Sequence, residues 1–107
     1  MIDEQKLLHN LKKRNRNSLD DIIKIYTPYI SVIVYNTVGC KLSKEDMEEI
    51  VSDTFFLLWQ NSLNIDETKG NMRSYLATIA RNTSKNKLRK YHSNEVLNEQ
   101  IISSDLT

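Results

Sequence analysis

The sequence predicts an all-α protein, a compact bundle of about four helices. Three observations carry this. Glycine occurs twice and proline once in 107 residues, and the hairpin dipeptides Asn-Gly and Asp-Gly are absent, so turns are too scarce for a sheet protein. Apolar residues recur every three or four positions along four segments. Residues suited to helix caps stand between those segments. A chain of 107 residues is one domain with a modest core.

The first helix is expected from Asp3 to about Lys13: Asp3 and Glu4 suit its positive end, and Leu7, Leu8 and Leu11 form an apolar stripe. A basic run, Lys12, Lys13, Arg14 and Arg16, leads to Ser18, which is expected to cap the second helix with Asp21 in capping-box position. That helix is expected from about Leu19 to Val38. Leu19, Ile22, Ile23, Ile25, Tyr26, Tyr29, Ile30, Ile33 and Val34 cover so wide an arc that it reads as the central buried helix. Pro28 lies inside the pattern and is expected to kink it. The β-branched run from Ile30 to Val38 does not make a strand, since no partner strand is evident.

Gly39 suits a helix C-cap, and Ser43 with Asp46 three residues on starts the third helix, Lys44 to about Asn61. Met47, Ile50, Val51, Thr54, Phe55 and Leu58 form its core stripe, with Trp59 at the margin. Opposite lie Glu45, Glu49, Ser52, Asp53, Phe56 and Gln60. Phe56 is thereby either an exposed aromatic anchor among carboxylates, as protein interfaces use, or a residue packed under the following loop.

After a polar connection, Ser62 to Gly70, the stretch Asn71–His92 forms the fourth helix. Met72, Tyr75, Leu76, Ile79, Ala80 and Thr83 share one stripe, while Ser74, Thr78, Arg81, Asn82, Lys85 and Arg89 gather on another side. Arg81, Lys85 and Arg89 stand four apart. Like charges at that spacing repel by a few tenths of a kcal/mol per pair, a cost that an anionic partner would offset; the alternative is a solvated basic face. Residues 93–107 hold three acids, no cation and no clear periodicity, and read as a linker or disordered tail.

The net charge of +1 conceals segregation. Ser43–Glu67 carries seven acids against Lys44, whereas Lys69–His92 carries seven cations and no acid. This suggests two surfaces for two partners, one of them nucleic acid. The lone Cys40 fits a reducing compartment, and no apolar run reaches the roughly 18 residues of a membrane span or forms a signal peptide, so a cytoplasmic protein without membrane insertion is expected. His9 and His92 fit no metal pattern, two glycines make no phosphate loop, and the carboxylates of the third helix form no catalytic pair. We therefore expect no enzyme, no cofactor and no metal.

Taken together, DMEEIVSDTFFLLWQ (Asp46–Gln60) and NMRSYLATIARNTSKNKLRK (Asn71–Lys90) resemble the second conserved region of bacterial sigma-70 factors of the extracytoplasmic-function group. That pattern reads roughly AEDLVQEVFLRLW, then FRAWLYRIARNLAIDLLRR. Glu49, Val51, Phe55, Leu58 and Trp59 match the first block, with Asp53 in place of a Glu. Arg73, Leu76, Ile79, Ala80, Arg81, Asn82, Leu88 and Arg89 match the second. Tyr75 replaces a Trp but keeps an aromatic face, Ser52 replaces a Gln, and Asn86 replaces an Asp. With the Tyr-Thr-Pro-Tyr helix the resemblance spans about residues 18 to 92.

The resemblance implies a transcription initiation factor domain that docks on the clamp coiled coil of core RNA polymerase and recognises and melts the promoter −10 element. Glu49, Ser52, Asp53 and Phe56 are the expected polymerase-binding residues. Arg73, Tyr75, Thr78, Arg81, Asn82, Lys85 and Arg89 are expected to hold the single-stranded non-template −10 strand. An anti-sigma factor is a further implied partner. Full family members carry a second, helix-turn-helix domain for the −35 element, and residues 93–107 are too few for it. Residues 1–92 are thus the expected domain. Two other classes fit the charges: a helical DNA-binding regulator without polymerase contact, and a helical adaptor using both faces on proteins.

Overall fold

A computed structural model describes residues 3–66 and 68–105, with side chains through Asn94. Helices α1 (Glu4–Lys12), α2 (Arg16–Val38), α3 (Lys44–Gln60) and α4 (Met72–Asp105) follow in order, with 3-10 turns at Gly39–Lys41 and Ser62–Asn64. The described residues contain no strand. The expected four-helix architecture is what forms.

Helices α2, α3 and α4 pack on one another, and α1 closes one end against α2. The reason is visible residue by residue. On α2, Ser18, Ile22, Tyr26, Ile30, Val34 and Val38 are buried, an unbroken ridge of every fourth residue. On α4 the buried ridge is Met72, Leu76, Ala80 and Ser84, with Ala77 beside it. Ridges at this spacing interdigitate, and the small Ala80 and Ser84 let α4 approach closely. From α3, Ile50, Thr54, Phe55 and Leu58 complete the core. The Thr54 hydroxyl donates to the Ile50 carbonyl at 2.8 Å, so its burial leaves no orphan.

Local signals set most of the boundaries. Asp3 caps α1 by accepting from the Lys6 amide at 3.1 Å. Gly39, at φ 59, ends α2 in a conformation that favours glycine. Ser43 accepts from the Asp46 amide at 3.1 Å to start α3, and Asn71 accepts from the Ser74 amide at 2.9 Å to start α4.

Three expectations need correction. Helix α2 begins at Arg16 under an Asn15 cap, and Ser18 lies inside it, buried, donating to the Leu7 carbonyl at 2.9 Å. Its hydroxyl serves the α1–α2 packing, which the capping-box pattern could not reveal. Nor is α2 buried all round: Ile23, Val32 and Tyr35 are exposed, because one helix face cannot bury so wide an apolar arc. Helix α2 continues through Pro28, as the expected span requires, with Pro28 exposed. Finally, α4 does not stop at His92. It continues to Asp105 through residues with neither Gly nor Pro, since propagating a nucleated helix is easy. At about 1.5 Å per residue α4 outruns the bundle, and the molecule measures 62 × 24 × 23 Å.

Candidate nucleic-acid interface

The outer face of α4 carries Thr78, Arg81, Asn82, Lys85 and Arg89, all exposed. At 100° per residue these five fall within roughly one third of the helix circumference, so the structure brings them together as expected. Arg89 donates to the Asn86 side chain at 3.3 Å, so Asn86 supplies an acceptor where the family pattern has an Asp. The opposite face is the buried Met72–Ser84 ridge, which fixes how α4 is rotated.

Tyr75 sits between these faces, half-buried. Its hydroxyl donates to the Asp66 carbonyl, tying the loop before α4 to the helix. Gly70 lies against the end of the ring: a Cβ there would be 3.5 Å from Cε2 and Cζ of Tyr75. The Asp66 carboxylate accepts from the Thr68 amide at 2.9 Å and from its hydroxyl at 2.6 Å. Those bonds, the hydroxyl's foremost and Lys12 among lesser causes, hold the Asp66 pKa below the usual carboxylate range.

Arg73 does not join the exposed ridge. Its guanidinium lies 4.4 Å from the centroid of the Tyr29 ring, around the helix from Thr78 and Asn82. Beside it the Tyr26 hydroxyl donates to Glu4 at 2.6 Å. Burial, then that bond and the Glu4 charge, push the Tyr26 phenol well above its ordinary range.

On α3, Glu49, Ser52, Asp53 and Phe56 are all exposed, Phe56 to 59%. This decides between the two readings of Phe56: it is a surface aromatic. The four do not behave alike. Glu49 accepts from Lys87 of α4 at 3.1 Å, with Asp46 4.0 Å from the same ammonium. One of the seven cations of the fourth segment is therefore turned inward to the acids of the third. Ser52 and Phe56 instead line an apolar groove of about 1030 Å³ between α2 and α3, with Ile23, Val32, Tyr35, Met47 and Val51.

Sequence reasoning missed two parts of this surface. On the α2 wall of the groove, Ile23 was assigned to the buried arc and Val32 and Tyr35 were given no role; an arc wider than one face could bury was the available signal. The basic run after α1 was left without a role. Lys12 donates to the Ile65 carbonyl at 2.7 Å, and Arg14 to the Trp59 carbonyl at 2.5 Å and Ser62 Oγ at 3.3 Å. Four cations within five residues, with no acid among them, were the clue.

Among the described residues no group of three or more His, Cys, Asp and Glu is placed to hold a metal, and no helix is long and apolar enough to cross a membrane. No curated protein matches the chain. A similar fold occurs in the NMR structure of an engineered region 2 of sigmaE in complex with GTAAAA. The likeness has a TM-score of 0.76 at 18% identity, over 87% of this chain and 93% of that one. The family model described as Sigma-70 region 2 matches residues 22–93, from the first buried isoleucine of α2 through the exposed ridge of α4. On that match, covering most of the chain, the protein belongs to the sigma-70 region 2 family.

Proposed function

We propose that this domain is a transcription initiation factor that uses two separate faces, one for polymerase and one for the promoter. As a sigma-70 region 2 domain it binds core RNA polymerase and recognises the −10 element. The proposal concerns which residues do so. The single observation that carries it is the common exposed face of Thr78, Arg81, Asn82, Lys85 and Arg89, adjoining Tyr75 and its loop. Cations in a row attract phosphates and release counterions. Asn82 offers a donor and an acceptor to a base edge, and Tyr75 offers a ring for stacking. Arg73, stacked on Tyr29, stands apart from this face.

Phe56 and Ser52, in the groove, with Asp53 and Glu49 beside it, form the polymerase face. An exposed aromatic in an apolar groove edged by carboxylates suits a partner with apolar and basic side chains, such as the clamp coiled coil. Such a protein works in the cytoplasm, is not an enzyme, and is open to capture by an anti-sigma factor. Residues 1–92 are the working unit, and residues 93–107 a linker or tail.

Two measurements test the reading. The domain should be retained by core RNA polymerase, and it should prefer a single-stranded non-template −10 oligonucleotide to the same sequence as duplex. Asn82→Ala should erase the base preference while keeping most of the salt-dependent affinity. Equal binding of duplex and single strand, unchanged by Asn82→Ala, would leave α4 reading backbone charge only. DNA binding without retention by polymerase would favour the regulator lacking polymerase contact.

A further inference from the structure

The corner between α1 and α2 holds a residue that its backbone does not favour. The Arg14 amide donates to the Leu11 carbonyl at 2.9 Å, and the Asn15 amide to the Asn10 carbonyl at 3.1 Å. This is the paired Schellman closure of a helix C-terminus, whose left-handed position usually belongs to glycine. Here it is Arg14, at φ 65, the one non-glycine residue with positive φ among those described. A side chain at such a site is strained, so this one must do something glycine could not.

The contacts of Arg14 identify what that is. Its guanidinium lies 3.8 Å from the centroid of the Trp59 ring. The same group donates to the Trp59 carbonyl at 2.5 Å and to buried Ser62 at 3.3 Å. Two residues earlier, Lys12 donates to the Ile65 carbonyl at 2.7 Å. From the other side the Tyr75 hydroxyl donates to the carbonyl of the next residue, Asp66. The chain from Trp59 to Asp66 is therefore pinned between α1 and α4 by donors to Trp59, Ser62, Ile65 and Asp66. The Ile65 carbonyl, which no helix or sheet satisfies, is thereby given a fixed partner.

We propose that Lys12 and Arg14 are positioning residues for promoter recognition: they brace the loop that Tyr75 joins to the nucleic-acid face, so that base-reading groups meet a preformed cleft. The inference rests on the −10 reading above. It differs from a phosphate-binding role for the same cations, because Lys12 Nζ and Arg14 Nη1 already donate to carbonyls of the protein itself.

The test uses Arg14→Gly, Arg14→Lys and Lys12→Met in the 107-residue chain. Glycine suits the left-handed backbone, so Arg14→Gly should fold with a melting temperature near the parent's. The probes are the single strand GTAAAA and the same bases in reversed order. Arg14→Gly should speed hydrogen exchange of the amides from Ser62 to Asp66, and should reduce the preference between probes by roughly fivefold or more, the scale of one lost base stack. The slope of log affinity against log salt should stay as in the parent. Arg14→Lys keeps the charge but not the fork and stack, and should not restore the preference. A slope reduced by about one unit with preference and exchange intact would make Arg14 a phosphate contact and overturn the proposal. So would unchanged exchange, or loosened amides with undiminished preference, in a parent that does discriminate. A parent that binds no single strand would sink the −10 reading itself, and the positioning role with it.

Discussion

Phe55 and Phe56 are neighbours in sequence with opposite fates, and truncating each in turn tests how α3 is oriented. Phe55 is 4% exposed and Phe56 59%. Fully burying a phenylalanine side chain is worth about 1.5–3 kcal/mol. With about two-fifths of its surface covered, Phe56→Ala should cost the fold about 1 kcal/mol. That is a fall in melting temperature of about 4–8 °C for a domain of this size. Phe55→Ala opens a cavity in the core and should cost about 3–5 kcal/mol, a large share of the about 5–15 kcal/mol that holds a domain together. The order should reverse for polymerase. An aromatic anchor at an interface centre costs about 2 kcal/mol or more when truncated, roughly thirtyfold in Kd. The assay is circular dichroism melting of both variants, followed by titration of labelled Phe56→Ala protein with core polymerase. Two results would refute the reasoning: Phe56→Ala melting as low as Phe55→Ala, or folded Phe56→Ala binding polymerase as tightly as the parent.

Two further outcomes are expected. Lys85→Ala and Arg89→Ala should each lower the steepness of log affinity against log salt by about 0.7–0.9 units on promoter DNA; parent-like slopes would reduce the ridge to a solvated face. The Asp66 carboxyl, with its pKa below the ordinary range, favours the folded loop at pH values above its unfolded pKa. It loses that contribution as pH falls through the folded value. The Thr68 amide, which donates to it, should therefore shift in NMR spectra with a midpoint below the ordinary carboxylate range. A midpoint at the ordinary value would mean the turn is not held by that bond.

Periodicity, caps and charge are local properties, and what depends on them was present in the sequence alone. The four helices, the Ser43 and Gly39 boundaries, the buried Leu58 and Leu76 and the shared exposed face of Arg81, Lys85 and Arg89 all follow from spacing along one helix. The family was legible from two blocks at a set separation. What required the tertiary structure was every choice made between elements. A helical wheel cannot say whether an apolar residue beyond the main stripe meets a neighbour, so Ile23 read as part of the buried arc although α3 leaves it open in a groove. Ser18 had the right chemistry for a cap and was drawn inside α2 by the Leu7 carbonyl of another helix. Lys87 looked like one cation among seven until α3 brought Glu49 within 3.1 Å of it. Lys12 and Arg14 show the limit most clearly. Their partners Ile65 and Trp59 lie 53 and 45 residues away, and contacts at that separation exist only once the chain has folded, because burial of other side chains, not local preference, brings the two loops together.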